Sequence, residues 1–160
     1  MAILDARNEF CDEVSVAGTA GTALIGNVID LGSTTNYPGN SDGLYLVLQT
    51  GSTEIITGGN AGTILFTLVS DALATLGAGV VADCTSHAVS QTLVTDDAAA
   101  NSAALNAGGV IMVVELPRGT YERYLGILCT IGTTTVTAGT VNAYLTNDPT
   151  VWTAFADGVA

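Results

Sequence analysis

The sequence predicts an all-β protein, a sandwich or barrel of about eight antiparallel strands. Three observations carry this. Strand-like runs rich in Val, Ile, Leu and Thr recur between turn signals at a spacing of roughly ten residues. The composition has 19 glycines with abundant Thr and Val, which favours strands and turns over helices. No stretch sustains a helix-period apolar stripe.

In chain order, Ile3 to Val16 mixes acids with scattered apolar residues and reads as an N-terminal arm with at most one helical turn. Thr22 to Leu31 is the first strand, closed by a turn-rich loop from Gly32 to Gly43 that contains Pro38-Gly39-Asn40. Leu44 to Thr50 is a strand, a short one is expected at Glu54 to Thr57, and Gly58 to Gly62 reads as a hairpin turn. Thr63 to Ser70 is again strand. Asp71 could cap a helical turn ending at Gly77, although a loop is preferred.

Val80 to Thr85 and Ala88 to Thr95 read as strands with His87 between them. Asp96 to Gly109 is a loop or short helix, and Val110 to Leu116 is a strand closed by Pro117. The last third, Leu116 to Ile131, a turn at Gly132 to Thr135 and then Val136 to Thr146, has the pattern of a closing hairpin. Val141, Ala143 and Leu145 alternate there with polar neighbours, giving one buried face. A chain of 160 residues and 16.1 kDa is expected to form one domain, residues 1–160, with an arm at 1–16 and a tail at 148–160.

Charge narrows the partners. There is no lysine, and Arg7, Arg118 and Arg123 stand against 15 acids for a net charge of -12. Phosphate contacts need Lys and Arg, so nucleic acid is excluded as a partner. The acidic surface offsets a mean hydropathy of +0.49 and keeps the chain soluble. Asp5, Arg7 and Glu9 leave no room for the apolar core of a secretion signal, and the uncharged runs are broken by Gly, Thr and Asn. Synthesis in a cytoplasm and no membrane partner are the expectation. Cys11, Cys84 and Cys129 are widely spaced with no CxxC pair and read as reduced small hydrophobes.

Catalytic equipment is sparse. A single histidine, His87, works against zinc sites and triads, and in Ser86-His87 adjacent strand residues point to opposite faces. Asp96-Asp97 and Asp12-Glu13 lack the ligand spacing of a calcium loop. Gly58-Gly59-Asn60-Ala61-Gly62-Thr63 lacks the lysine of a phosphate loop and follows no GxGxxG pattern. No enzyme activity, cofactor or metal is expected. Arg123 should serve a carboxylate, either on a neighbouring strand or on another subunit, because an unpaired guanidinium is costly to bury. Tyr121 and Tyr124 flank it. Trp152 and Phe155 follow Asp148-Pro149 and must bury either on their own domain or on a neighbour.

Two blocks carry a resemblance. Met1-Ala2-Ile3-Leu4-Asp5-Ala6-Arg7-Asn8-Glu9-Phe10-Cys11-Asp12 resembles the N-terminus of the cement proteins of tailed bacteriophages related to that of a Bordetella phage. Tyr121-Glu122-Arg123-Tyr124-Leu125-Gly126-Ile127, with Thr137 to Thr146, is similar to that family's C-terminal hairpin. The resemblance implies a jelly-roll protein on the outer surface of an icosahedral virion. There it would clamp major capsid proteins across their seams as a homo-oligomer, a dimer first and a trimer second. Interface candidates are Arg7, Phe10, Arg118, Tyr121, Arg123, Trp152 and Phe155. The competing class is a non-catalytic β-sandwich that binds carbohydrate or a cell surface.

Overall fold

The computed structural model describes residues 8–32, 35–40, 43–58, 61–96 and 102–149. Nine strands run through them: β1 (Glu9–Ser15), β2 (Gly21–Asp30), β3 (Tyr45–Thr50), β4 (Gly62–Asp71), β5 (Thr85–Val89), β6 (Leu93–Thr95), β7 (Val110–Glu115), β8 (Tyr124–Gly132) and β9 (Thr140–Thr146). One sheet has the order β1-β9-β3-β7. The other has the order β2-β8-β4-β5, with β6 also paired to β4. Every pairing is antiparallel.

The order is that of a folded ribbon. β1 pairs with β9, β2 with β8, β3 with β7 and β4 with β5, so early strands meet late ones in nested fashion. Wrapping such a ribbon into two facing sheets gives the jelly roll. The core lies between the sheets. Leu46 and Leu48 of β3, Phe66 and Leu68 of β4, Leu125 and Ile127 of β8, and Val141 of β9 are all fully shielded there. Strand alternation sets which residues enter it.

A second, smaller apolar cluster covers the outer face of the β2-β8-β4-β5 sheet. Val69, Leu76 and Leu128 form it, with Leu24, Val28, Val81, Cys84 and Tyr124 packed around them. Leu76 reaches it from the excursion between β4 and β5. Asp71 shapes that excursion, accepting from Leu73 N at 3.1 Å and from Gly77 N at 2.7 Å. Gly126 makes the packing possible, since a Cβ there would collide with Leu76 Cδ1. Gly26 (φ +64) has a different reason: the β2 backbone passes so close to Phe10 O that no side chain fits.

Several expectations need correction. β8 and β9 are not a hairpin. They lie in different sheets, and the link between them crosses the sandwich end, bridging Gly18 through Val136 and Ile56 through Ala138. A turn signal shows that the chain reverses, not which sheet it joins. Residues 54–57 make that single bridge instead of a strand, and Gly59 and Asn60 of the expected hairpin turn lie outside the described residues.

Val81–Asp83 is a 3-10 turn, and His87 lies inside β5 instead of between two strands. Part of the expected arm, Glu9–Ser15, is a strand paired to β9. Its irregular burial hid the period: register shifts separate Glu9, Cys11 and Val14, and Glu13 has φ 49.

Candidate interaction surfaces

The β7–β8 corner brings together three of the seven interface candidates, Arg118, Tyr121 and Arg123. Leu116 closes its register against Leu44, donating N–H to Leu44 O at 2.9 Å. The chain then turns through Pro117 and Gly119 to cross to the other sheet. Tyr121 is fully buried at this crossing and donates its hydroxyl proton to Pro117 O at 2.8 Å. This is the tyrosine-corner arrangement, in which a ring fixes the arch between two sheets of a Greek-key sandwich. Burial pushes the Tyr121 hydroxyl up to about 12.

The other face of Tyr121 stacks on His87, with centroids 3.7 Å apart and planes 14° from parallel. His87 Nε2 lies 2.8 Å from Ser70 Oγ, which also accepts Glu122 N–H at 3.1 Å. Burial holds His87 below its ordinary value, favouring the neutral ring. Ser70 is fully enclosed, so this contact between a serine and a histidine offers no nucleophile to a substrate. Its role is to lock β4, β5 and the corner together. The sequence had drawn attention to Ser86, and only the β4–β5 register reveals Ser70 as the partner.

Arg123 resolves onto a neighbouring strand. Its Nε donates to Asp30 Oδ1 at 2.9 Å and its Nη2 to Oδ2 at 2.8 Å. Asp30 ends β2 directly opposite Tyr124, and the guanidinium also lies 5.0 Å from the Tyr124 ring centroid. The Arg123 hydrogen bonds hold the Asp30 carboxyl below its usual range. Both side chains remain well exposed, at 43% and 45%, so the pair contributes little to stability and stays open to further contacts. Arg118 is exposed at the tip of the corner and, among the described residues, makes no ion pair.

Two interface candidates are corrected. Phe10 and Tyr121 are both fully buried, Phe10 in the main core beneath β1 and Tyr121 against His87 and Pro117. Neither presents atoms to a partner. Arg7, Trp152 and Phe155 lie outside the described residues.

One residue that sequence reasoning missed as an anchor is Glu13. Its carboxylate accepts from Ser52 N at 2.8 Å, Ser52 Oγ at 2.9 Å, Thr140 Oγ1 at 2.6 Å and Asn142 Nδ2 at 3.4 Å. Desolvation works to raise its pKa, but the Thr140, Ser52 and Asn142 hydrogen bonds outweigh it and hold the carboxyl below its usual range. Glu13 thereby ties edge strand β1 to β9 and to the turn after β3. Its adjacency to Asp12 was the visible signal, but the donors are remote in sequence.

The cysteines are all free. Burial pushes Cys11 and Cys129 up to about 12, which makes them poor nucleophiles. Among the described residues no three His, Cys, Asp or Glu side chains gather to hold a metal ion. A shallow groove of about 400 Å³ runs beside the β1–β2 link, lined by small residues such as Ala17, Gly18 and Ala20 over Cys129 and Ile131. No titratable pair converges on it. What the surface does offer is strand edges and faces, with Val110 and Val113 of β7 and Val89 and Val94 of β5 and β6 about half exposed.

A family model described as Bbp16 matches residues 14–145. The chain belongs to the Bbp16 family. That makes it a Bordetella-phage-type protein and points to a structural, virion-associated role. The Bbp16 match covers the middle of the chain, Gly32 to Gly108, where no sequence block had carried the resemblance. It begins just after the N-terminal dozen residues. A search of curated proteins returned no match.

Proposed function

We propose that this Bbp16-family protein is a non-catalytic virion component that binds the outer surface of an icosahedral capsid and cements neighbouring major capsid proteins. Membership of a phage family across residues 14–145 carries the reading. The fold is compatible with it: a rigid two-sheet jelly roll with contact faces and strand edges gains affinity from buried area and from repetition on a lattice. The acidic composition repels packaged DNA and suits a position outside the shell. A homo-oligomer, dimer before trimer, multiplies those contacts. Exposed Arg118, and Arg123 on its Asp30 partner, are the groups we assign to carboxylates of the coat.

The test is occupancy. Purified phage particles are examined by mass spectrometry, and the isolated protein is co-sedimented with shells from which it has been stripped. Saturable binding at a fixed ratio to coat protein is the expected result. Absence from particles, with no rebinding to stripped shells, would overturn the proposal.

A further inference from the structure

We infer that the free edge of β7 is the surface through which two copies of this chain pair, joining their β1-β9-β3-β7 sheets into one continuous sheet. The four sheet edges differ in how well they are guarded. Edge strand β1 is broken by two register shifts and carries Glu9, Asp12 and Glu13. β2 is interrupted between Ile25 and Ile29, with Gly26 in the left-handed region. The fourth edge is divided between β5, five residues, and β6, three residues. Bulges, charges and short length are the usual ways in which proteins block strand addition.

β7 is undivided, with one shift at its first residue and a single charge, Glu115, at its last. After one shift at Val110, Met112, Val113, Val114 and Glu115 run in unbroken register against Leu48, Val47, Leu46 and Tyr45. The bond from Leu116 N to Leu44 O continues that register. In an antiparallel ladder, alternate residues direct both N–H and C=O to the same neighbour. Leu116, Val114 and Met112 therefore bond to β3, and Val113 and Glu115 direct theirs away from it. Among the described residues nothing pairs with those outward groups.

The side chains there suit a second copy. Val113 is 47% exposed and Val110 55%, and Glu115 is the strand's only charge. A two-fold antiparallel mate set Val113 against the partner's Glu115 satisfies the outward N–H and C=O groups of both residues. It keeps the two glutamates from facing each other directly, and like charges directly opposite are what destabilises a strand pair. Such a contact is isologous and closes on itself, leaving no β7 edge for a third chain. The strand is short, so the dimer is expected to depend on concentration.

The inference rests on the homodimer in the proposed function but not on capsid binding. The experiment is sedimentation equilibrium over a concentration series for the full chain and for Val113→Pro and Val113→Glu. Proline at an outward-facing position removes an N–H that β3 does not use, and glutamate places a like charge directly opposite the partner's Glu115 without touching the ladder. The wild type should pass from 16.1 kDa to twice that mass, with amide exchange at Val113 and Glu115 slowing as it does. Both variants should stay monomeric with unchanged circular dichroism. Should Val113→Pro fail to fold, Val113→Glu decides. A dimer that survives Val113→Glu overturns the β7 edge alone. A wild type that stays monomeric throughout overturns the edge and the dimer together, while shell binding is scored separately.

Discussion

Replacing Tyr121 by Phe removes one oxygen and tests whether this residue is a corner lock or a docking anchor. The ring, its burial and its stack on His87 at 3.7 Å are all retained. What is lost is the 2.8 Å bond to Pro117 O, leaving that carbonyl without its donor at the arch between the sheets. A hydrogen bond contributes about 1 kcal/mol net, and leaving this part-buried acceptor without its donor raises the cost within the range of about 1–3 kcal/mol. For a chain of this size that corresponds to a fall in Tm of roughly 3–9 °C.

Tyr121→Ala removes the ring as well and should cost about 3–5 kcal/mol, enough to compromise folding. The assay is thermal and urea denaturation of the wild type and Tyr121→Phe, with shell occupancy scored on the folded protein. The corner reasoning requires lower stability with unchanged occupancy. A Tyr121→Phe protein that melts with the wild type but fails to bind shells would refute it and restore the contact role.

Further expectations concern the other anchors. Gly126→Ala should expel Leu76 from the outer cluster at about 1–3 kcal/mol, read as a lower Tm with faster amide exchange in residues 72–84. His87 has a lowered folded pKa, so the unfolded chain takes up the proton first. Its contribution is present above about pH 6.5 and lost as pH falls toward the lower folded value. Tm measured from pH 7 to 5 should therefore fall more steeply in the wild type than in His87→Gln, and parallel curves would disprove this. Glu13 also has a lowered folded pKa. Its contribution is present above the ordinary carboxylate range and fades as pH drops through the lower folded value. Glu13→Ala should consequently destabilise the β1 edge at neutral pH and flatten the acid side of the stability profile. Arg118→Ala should leave Tm unchanged and reduce shell occupancy, measured by co-sedimentation.

Much of the fold was legible because strand alternation is a local signal. β2, β3, β4 and β7 fall within a residue or so of the runs that predicted them. Strand pairing is not local. The strong turn from Gly132 to Thr135 looked like a hairpin, yet β8 pairs with β2 and β4 while β9 pairs with β1 and β3. β1 was hidden because its bulges break the two-residue period. Among the site residues, Arg123 was recognised as needing a carboxylate, but only the β2–β8 register identifies Asp30. Tyr121 and Phe10 were read as contact residues because an aromatic in a sequence carries no label for inside or outside. Tyr121 follows Pro117 and Gly119 at the spacing of a corner, and that was the overlooked local clue.

The most direct test of the cement role is a density map of the intact particle. The proposed function predicts two-sheet jelly-roll density on the outer capsid surface, bridging adjacent coat subunits. A fully accounted exterior without that density, or the chain located inside the shell, would contradict it.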